Sequence, residues 1–173
     1  MLLALDISLT TGAAWGGPSS HSPRSAVCKL PEGRDNFDRA LVGLRDYVMM
    51  MCKFEKVEIV AIEAAMRRVD REHSEYAAFL LTSLSAVARE AASRHGARIV
   101  PAECHTWRRH FIGSGNLSGE DSKRAAMKMC DRLGWTYQDH NAAEACGVWH
   151  WGMARHFPKW NPPKMRVAEK PLA

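Results

Sequence analysis

The spacing of apolar positions changes several times along the chain, and each change marks an element. Leu2 to Leu9 is a nearly continuous apolar run broken by Asp6, the pattern of a buried strand. Thr10-Thr11-Gly12 then predicts a turn and Ala13 to Gly16 a second strand. The Gly-, Pro- and Ser-rich stretch from Gly16 to Ser25 predicts a loop, and Ala26 to Leu30 a third short strand. From Asp35 the period lengthens: Phe37, Leu41, Leu44, Val48 and Met51 recur at three- and four-residue steps, one stripe of an amphipathic helix. Val57 to Ile62 returns to an apolar strand that ends at Glu63. Ser74 to His95, rich in Ala and Leu, predicts a long helix stopped by Gly96, and Arg98 to Val100 a last short strand before Pro101. Ser118 with Asp121 forms a capping-box pattern for a helix that Gly134 ends after Leu133. Asp139 can cap a final helix reaching about His156. The order β-β-β-α-β-α-β-α-α predicts an α/β sheet that begins as a meander and continues through helical crossovers.

A chain of 173 residues fits one domain, with the periodic elements inside residues 1–156. Residues 157–173 hold four prolines and four Lys or Arg, which predicts a basic tail or arm rather than core. No apolar stretch approaches the roughly 20 residues that cross a bilayer, and Met1 to Leu5 lacks a basic leading segment, so a cytoplasmic protein away from membranes is expected. The five cysteines lie far apart without a C-x-x-C pair, as small core residues in a reducing compartment would. Lys and Arg number 24 against 19 Asp and Glu, a net charge of +5 that favours a polyanionic partner only mildly.

The chemistry begins with two acids in apolar strands. An unpaired carboxylate at Asp6 costs several kcal/mol, so a hydrogen-bonded network, a basic partner or a metal must compensate it. Glu63 poses the same problem. Singly, each reads as a satisfied structural acid; together, on neighbouring strands, they would converge at one position of the sheet, a site for a hard divalent cation. The run D-H-N-A-A-E-A-C, from Asp139 to Cys146, supplies a third element. On a helix Glu144 shares a face with Asn141 and His140, while Ala142, Ala145, Cys146, Trp149 and Met153 face away and pack the helix down. Capping alone could explain that polar trio. With Asp6 and Glu63 it completes a set of oxygen and nitrogen ligands suited to Mg²⁺ or Mn²⁺, and paired ions of this kind serve phosphodiester hydrolysis. The remaining histidines form no H-E-x-x-H spacing and the chain has no G-x-x-x-x-G-K-[ST] loop, which argues against zinc catalysis and a nucleotide-driven motor.

The strand L-A-L-D-I-S-L-T-T-G, the strand V-A-I-E-A-A, the segment W-R-R-H-F-I-G-S-G followed by Lys123, and the helix opening D-H-N-A-A-E-A occur in that order. Together they resemble the RuvC-like Holliday junction resolvases, particularly the compact forms of bacteriophages and prophages. The resemblance spans Met1 to about His156. It implies an RNase H-like fold: a mixed five-stranded sheet, three strands in an antiparallel meander plus parallel strands, flanked by helices. It also implies a structure-selective endonuclease that resolves four-way junctions by paired nicks, as a homodimer in the cytoplasm of a bacterial host. By match, Asp6, Glu63, Glu144 and Asn141 take the catalytic places. The same four, with His140, would bind two Mg²⁺ or Mn²⁺ ions. The chain departs from the family at two of them, with Glu144 where an Asp is usual and the uncharged Asn141 where an acid or histidine is usual. His140 or Asp139 could take the missing ligand role.

Under this resemblance the basic residues become DNA contacts: Arg67, Arg68 and Arg71 after Glu63, Arg108, Arg109 and His110 before Gly113-Ser114-Gly115, and Lys123 near a helix start. Their alternative is ordinary solvated surface. Trp107 is the one tryptophan considered for stacking on a base; the other five read as core. Two rival functions stand beside junction resolution. One is an RNase H-like nuclease on other branched DNA or RNA, like the YqgF-type relatives; the other is a DNA-binding module of the same fold with weakened catalysis. For the dimer, an exposed face of the Ser74–His95 helix is the expected interface.

Overall fold

The computed structural model describes residues 1–64 and 75–162. Five strands, β1 (Leu2–Asp6), β2 (Thr10–Gly16), β3 (Arg24–Lys29), β4 (Ile59–Glu63) and β5 (Arg98–Ala102), form one sheet in the order β3-β2-β1-β4-β5. The first three pair antiparallel, and β1-β4-β5 are parallel. Among the described residues five helices flank them: α1 (Phe37–Glu55), α2 (Glu75–Arg94), α3 (Cys104–Ile112), α4 (Gly119–Leu133) and α5 (His140–His156). The mixed sheet is the expected one. Among the described residues, no helix is long and apolar enough to cross a membrane.

Strand alternation divides the core in two. Leu3, Leu5, Val60 and Ile62 point to one face, where α1 and α2 pack through Leu44, Val48, Leu84 and Ala88. Leu2, Ala4, Ala14 and Ala61 point to the other, where α5 lies with α3 and α4 outside it. The alanines there let α5 approach closely. Its residues from Asn141 to Met153 are buried except His150, so α5 is enclosed on nearly all sides rather than packed by the single apolar face expected from its sequence.

Three other expectations change. Thr10-Thr11-Gly12 is not a turn but the start of β2; the chain reverses at Ile7–Leu9, knit by Ser8 and Thr11. The Thr11 hydroxyl donates to the Ser8 carbonyl at 2.6 Å, and the Ser8 hydroxyl accepts from the Thr10 amide at 3.1 Å. The strand predicted to run to Leu9 accordingly stops at Asp6. A fifth helix, α3, occupies Cys104–Ile112, anchored by Trp107 and Phe111 four residues apart. At the C-terminal side, Trp160 is not part of a free arm. It is 6% exposed, stands edge-on to Trp149 and His150, and donates its indole N–H to the Ser20 carbonyl at 3.1 Å. The rest of the expected tail, from residue 163, lies outside the described residues.

The caps form as their residues dictate. Ser118 accepts from the Asp121 amide, Gly134 closes α4 in the left-handed conformation, and Asp139 Oδ1 accepts from the Ala142 amide at 3.0 Å.

His150 lies among Phe111, Trp135 and Trp160 and contacts His110 ring to ring, with 2.9 Å between the facing nitrogens. Burial, reinforced by His110, lowers its pKa to about 4. A histidine held neutral in the fold stabilises it above the unfolded pKa near 6.5, and that stability is lost as pH falls through 4. Between these values the protein should lose on the order of 3 kcal/mol at this residue. His150→Phe should flatten that part of a melting-temperature-against-pH profile; an unchanged slope would place the acid sensitivity elsewhere.

Candidate active site

The ends of two parallel strands position the first two acids. Leu5 is in register with Ile62, so Asp6 and Glu63 stand side by side one residue further on. Alternation from Ala4 and Ala61 turns both side chains to the α5 face of the sheet. Carboxyl ends of parallel strands are where α/β sheets place their ligands.

The third acid comes from above. Asp6 pairs across the antiparallel ladder with Gly12, and the first turn of α5 rests on that glycine. A Cβ at Gly12 would lie 2.0 Å from the Asn141 carbonyl oxygen and 2.9 Å from the Ala142 nitrogen, so only glycine admits the helix this close. One turn later, Glu144 points down to Asp6 and Glu63 and is 5% exposed. Burial, then the negative charges of Glu63 and Glu144, push Asp6 well above the ordinary carboxylate range, with Arg108 opposing. Glu144 is also raised, by burial and then Glu63, with Arg108, the Ser122 hydroxyl and Lys123 opposing.

An open cavity of about 620 Å³ opens beside Asp6 and Glu144, lined also by Lys29, Lys123, Asp139, His140 and Asn141 among others. Asp139 is committed to its helix: Oδ1 caps Ala142 and Oδ2 accepts from Asn141 Nδ2 at 3.3 Å. Asp139 and His140 both line the cavity, and of the two His140 is the one without a capping bond inside the helix. The donor chemistry of three carboxyls, an amide and an imidazole fits a hard divalent ion. The arrangement is not drawn together for one, however: among the described residues no three His, Cys, Asp or Glu side chains stand in a metal-holding group.

The basic residues divide. Lys123 lines the cavity, paired with Glu120 at 3.0 Å. Arg108 faces inward rather than out to solvent, its Nη2 lying 3.4 Å from Glu144 and 3.9 Å from Glu63. Arg109 is exposed, outside the cavity lining, and His110 turns away to His150. Gly113 ends α3 in the left-handed region, so the glycine there answers to the helix stop. Trp107 is fully buried beneath α5 and offers no face for a base. Arg67, Arg68 and Arg71 lie outside the described residues.

Four neighbours were not anticipated. Lys29 reaches the cavity because the β2–β3 register sets it opposite Thr10, at the Asp6 end of the sheet. Ser122 donates to Glu144 at 3.3 Å. The Cys104 thiol donates to Glu63, and Ser8 lines the cavity floor. Lys29 was readable in principle, but only with β2 begun at Thr10. Cys104 and Ser122 depend on helix packing that no local pattern encodes.

No protein-family model matches the chain, and no curated protein matches it in sequence. Solved structures do. The chain is similar to Thermus thermophilus RuvC in complex with a Holliday junction substrate, at 16% identity and a TM-score of 0.65, over 89% of this chain and 94% of that one. A second structure of Thermus thermophilus RuvC matches at 13% identity and a TM-score of 0.62, over 94% and 99%. The fold is thus the RuvC-like, RNase H-like one.

Proposed function

We propose that this chain is a metal-dependent endonuclease that nicks branched DNA, four-way junctions foremost, as a homodimer. The observation that carries the reading is the meeting of Asp6, Glu63 and Glu144 at a cleft that Asp6 and Glu144 line together with Lys29 and Lys123. The fold shared with a junction-bound RuvC supports the substrate class. Asp6, Glu63 and Glu144, with Asn141 or His140, would hold Mg²⁺ or Mn²⁺, ions that activate water and stabilise the leaving oxygen in phosphodiester hydrolysis.

The chain's own groups do the rest. Lys29 and Lys123 flank the acids from β3 and α4 and can each take a phosphate oxygen, offsetting the carboxylates that would otherwise repel DNA. Glu63 is oriented by the Cys104 thiol and Glu144 by Ser122. Paired incision of two equivalent strands calls for two active sites related by a twofold axis. Phe79 on α2 is 61% exposed and stacked on Phe37, and Val42, Met50 and Phe54 on α1 are also exposed, which makes the α1–α2 face the proposed dimer surface. Light scattering that finds one chain per particle, with and without junction DNA, would remove the dimer.

The deciding experiment is cleavage of a labelled four-way junction with Mg²⁺ or Mn²⁺ beside a linear duplex. Symmetric nicks confined to the junction support the proposal, and cleavage of other branched DNA or RNA instead would favour the YqgF-like reading. Tight binding without cleavage would favour a DNA-binding module, which the uncharged Asn141 and the inward-facing Arg108 specifically suggest. For the flanking lysines, Lys29→Glu or Lys123→Glu should weaken junction binding about tenfold and lower its salt slope by about one. Anisotropy titrations at several salt concentrations measure both. Unchanged slopes would make these lysines solubilising surface.

A further inference from the structure

Resting on the reading of Asp6, Glu63 and Glu144 as holders of a divalent cation, the position of Arg108 bears on how that centre is kept without its ion. Glu144 is buried and Asp6 and Glu63 are half-buried beside it, and three carboxyls so placed repel strongly where water is scarce. Among the described residues, the ion pairs of Glu63 and Glu144 come from Arg108 alone. Its helix holds it rigidly. Trp107 and Phe111 seat α3 against α5 at Gly147, and Cys104 ties the start of α3 to Glu63.

The pairing itself is loose. One nitrogen, Nη2, is shared between Glu144 Oε1 at 3.4 Å and Glu63 Oε1 at 3.9 Å. The guanidinium rests 5.4 Å from the centre of the Trp107 ring, and its Nε is buried without a hydrogen-bond partner. A guanidinium in a permanent carboxylate seat makes two parallel bonds of about 2.7–2.9 Å. Arg108 is near enough to cancel charge and too poorly bonded to be the occupant that the site fits best. It also draws on Oε1 of both glutamates, oxygens a cation would use.

We propose that Arg108 is an internal counter-cation of the metal centre: it neutralises Glu63 and Glu144 in the metal-free protein, and a divalent ion must displace it to bind. Arg109, exposed one residue on, is free of that duty and remains suited to a phosphate.

The test is calorimetric titration of Mn²⁺ alone into the full chain and its Arg108→Gln variant, with melting curves in chelator. Removing the competing charge should tighten Mn²⁺ binding about tenfold. It should also lower the melting temperature in chelator and leave the Mn²⁺-loaded value closer to wild type. If Arg108→Gln shows no cooperative melt, Arg108→Lys carries the test, with Mn²⁺ binding tightened about two- to threefold because a shorter ammonium reaches both glutamates less well. Mn²⁺ affinity unchanged or weakened in the folded variant overturns the inference and leaves Arg108 a structural tie or a DNA contact. A wild-type protein that takes up no Mn²⁺, and is indistinguishable from Asp6→Asn in the same titration, removes the reading of the site and this inference with it.

Discussion

Asp6→Asn should reduce metal-supported junction cleavage by about a thousandfold or more while junction affinity stays within a few-fold of wild type. The substitution keeps shape and volume and removes only the charge that a hard cation needs. On the proposed reading DNA is held by Lys29 and Lys123 in the cleft, which the change does not touch. The fold supplies a second readout. Burial of the Asp6 carboxyl, and then the charges of Glu63 and Glu144, raise its pKa, so ionisation there works against the folded state. A neutral amide relieves that repulsion, and the melting temperature in chelator should rise, by about 2–4 °C. An inactive but more stable protein is hard to explain by misfolding. Glu63→Gln should lose cleavage in the same way. Near-normal cleavage by either variant in a clean preparation would take that residue out of the site.

Gly12→Ala should be nearly as damaging without touching a functional group. The added methyl would sit 2.0 Å from the Asn141 carbonyl oxygen and 2.3 Å from its carbon, and both are backbone atoms at the start of α5. Neither can swing aside as a side chain would. The first turn of α5 must lift from the sheet, and a clash of this kind costs about 3 kcal/mol or more. Asn141 and Glu144 lift with it while Asp6 and Glu63 stay on their strands. A displacement near 1 Å in a catalytic constellation lowers rate about a hundredfold. The expected result is a markedly lower melting temperature with cleavage impaired even well below it. Wild-type stability and rate would mean that α5 is not seated as described.

What could be read in the sequence was chemistry that acts locally. Ser118, Gly134 and Asp139 announce helix ends through their own side chains or backbone freedom, and all three act there. Asp6 and Glu63 stood out because acids are costly in apolar strands, and they do converge. The turn after β1 was misplaced because Ile7 and Leu9 are apolar and extend the strand pattern, whereas the Ser8–Thr11 hydrogen bonds that make it are invisible to hydrophobic spacing. α3 escaped notice because nine residues with two buried anchors carry almost no periodicity. Sequence gives the charge of Arg108 and not its direction, so from sequence alone it reads as a DNA contact. Lys29 needed the β2–β3 register before it could be placed near Asp6 at all.

The enclosure of α5 has a bearing on how the molecule comes into being. It is the last helix among the described residues, yet it forms the centre of one of the two cores and carries Asn141 and Glu144. During synthesis the elements before it can assemble on the α1–α2 side, but the opposite face of the sheet stays uncovered until α5 has left the ribosome. No partial chain ending before α5 can therefore possess the complete acidic cluster. On the proposed reading any cutting capacity awaits α5, and the same enclosure should make the amides of α5 exchange with solvent only through global unfolding.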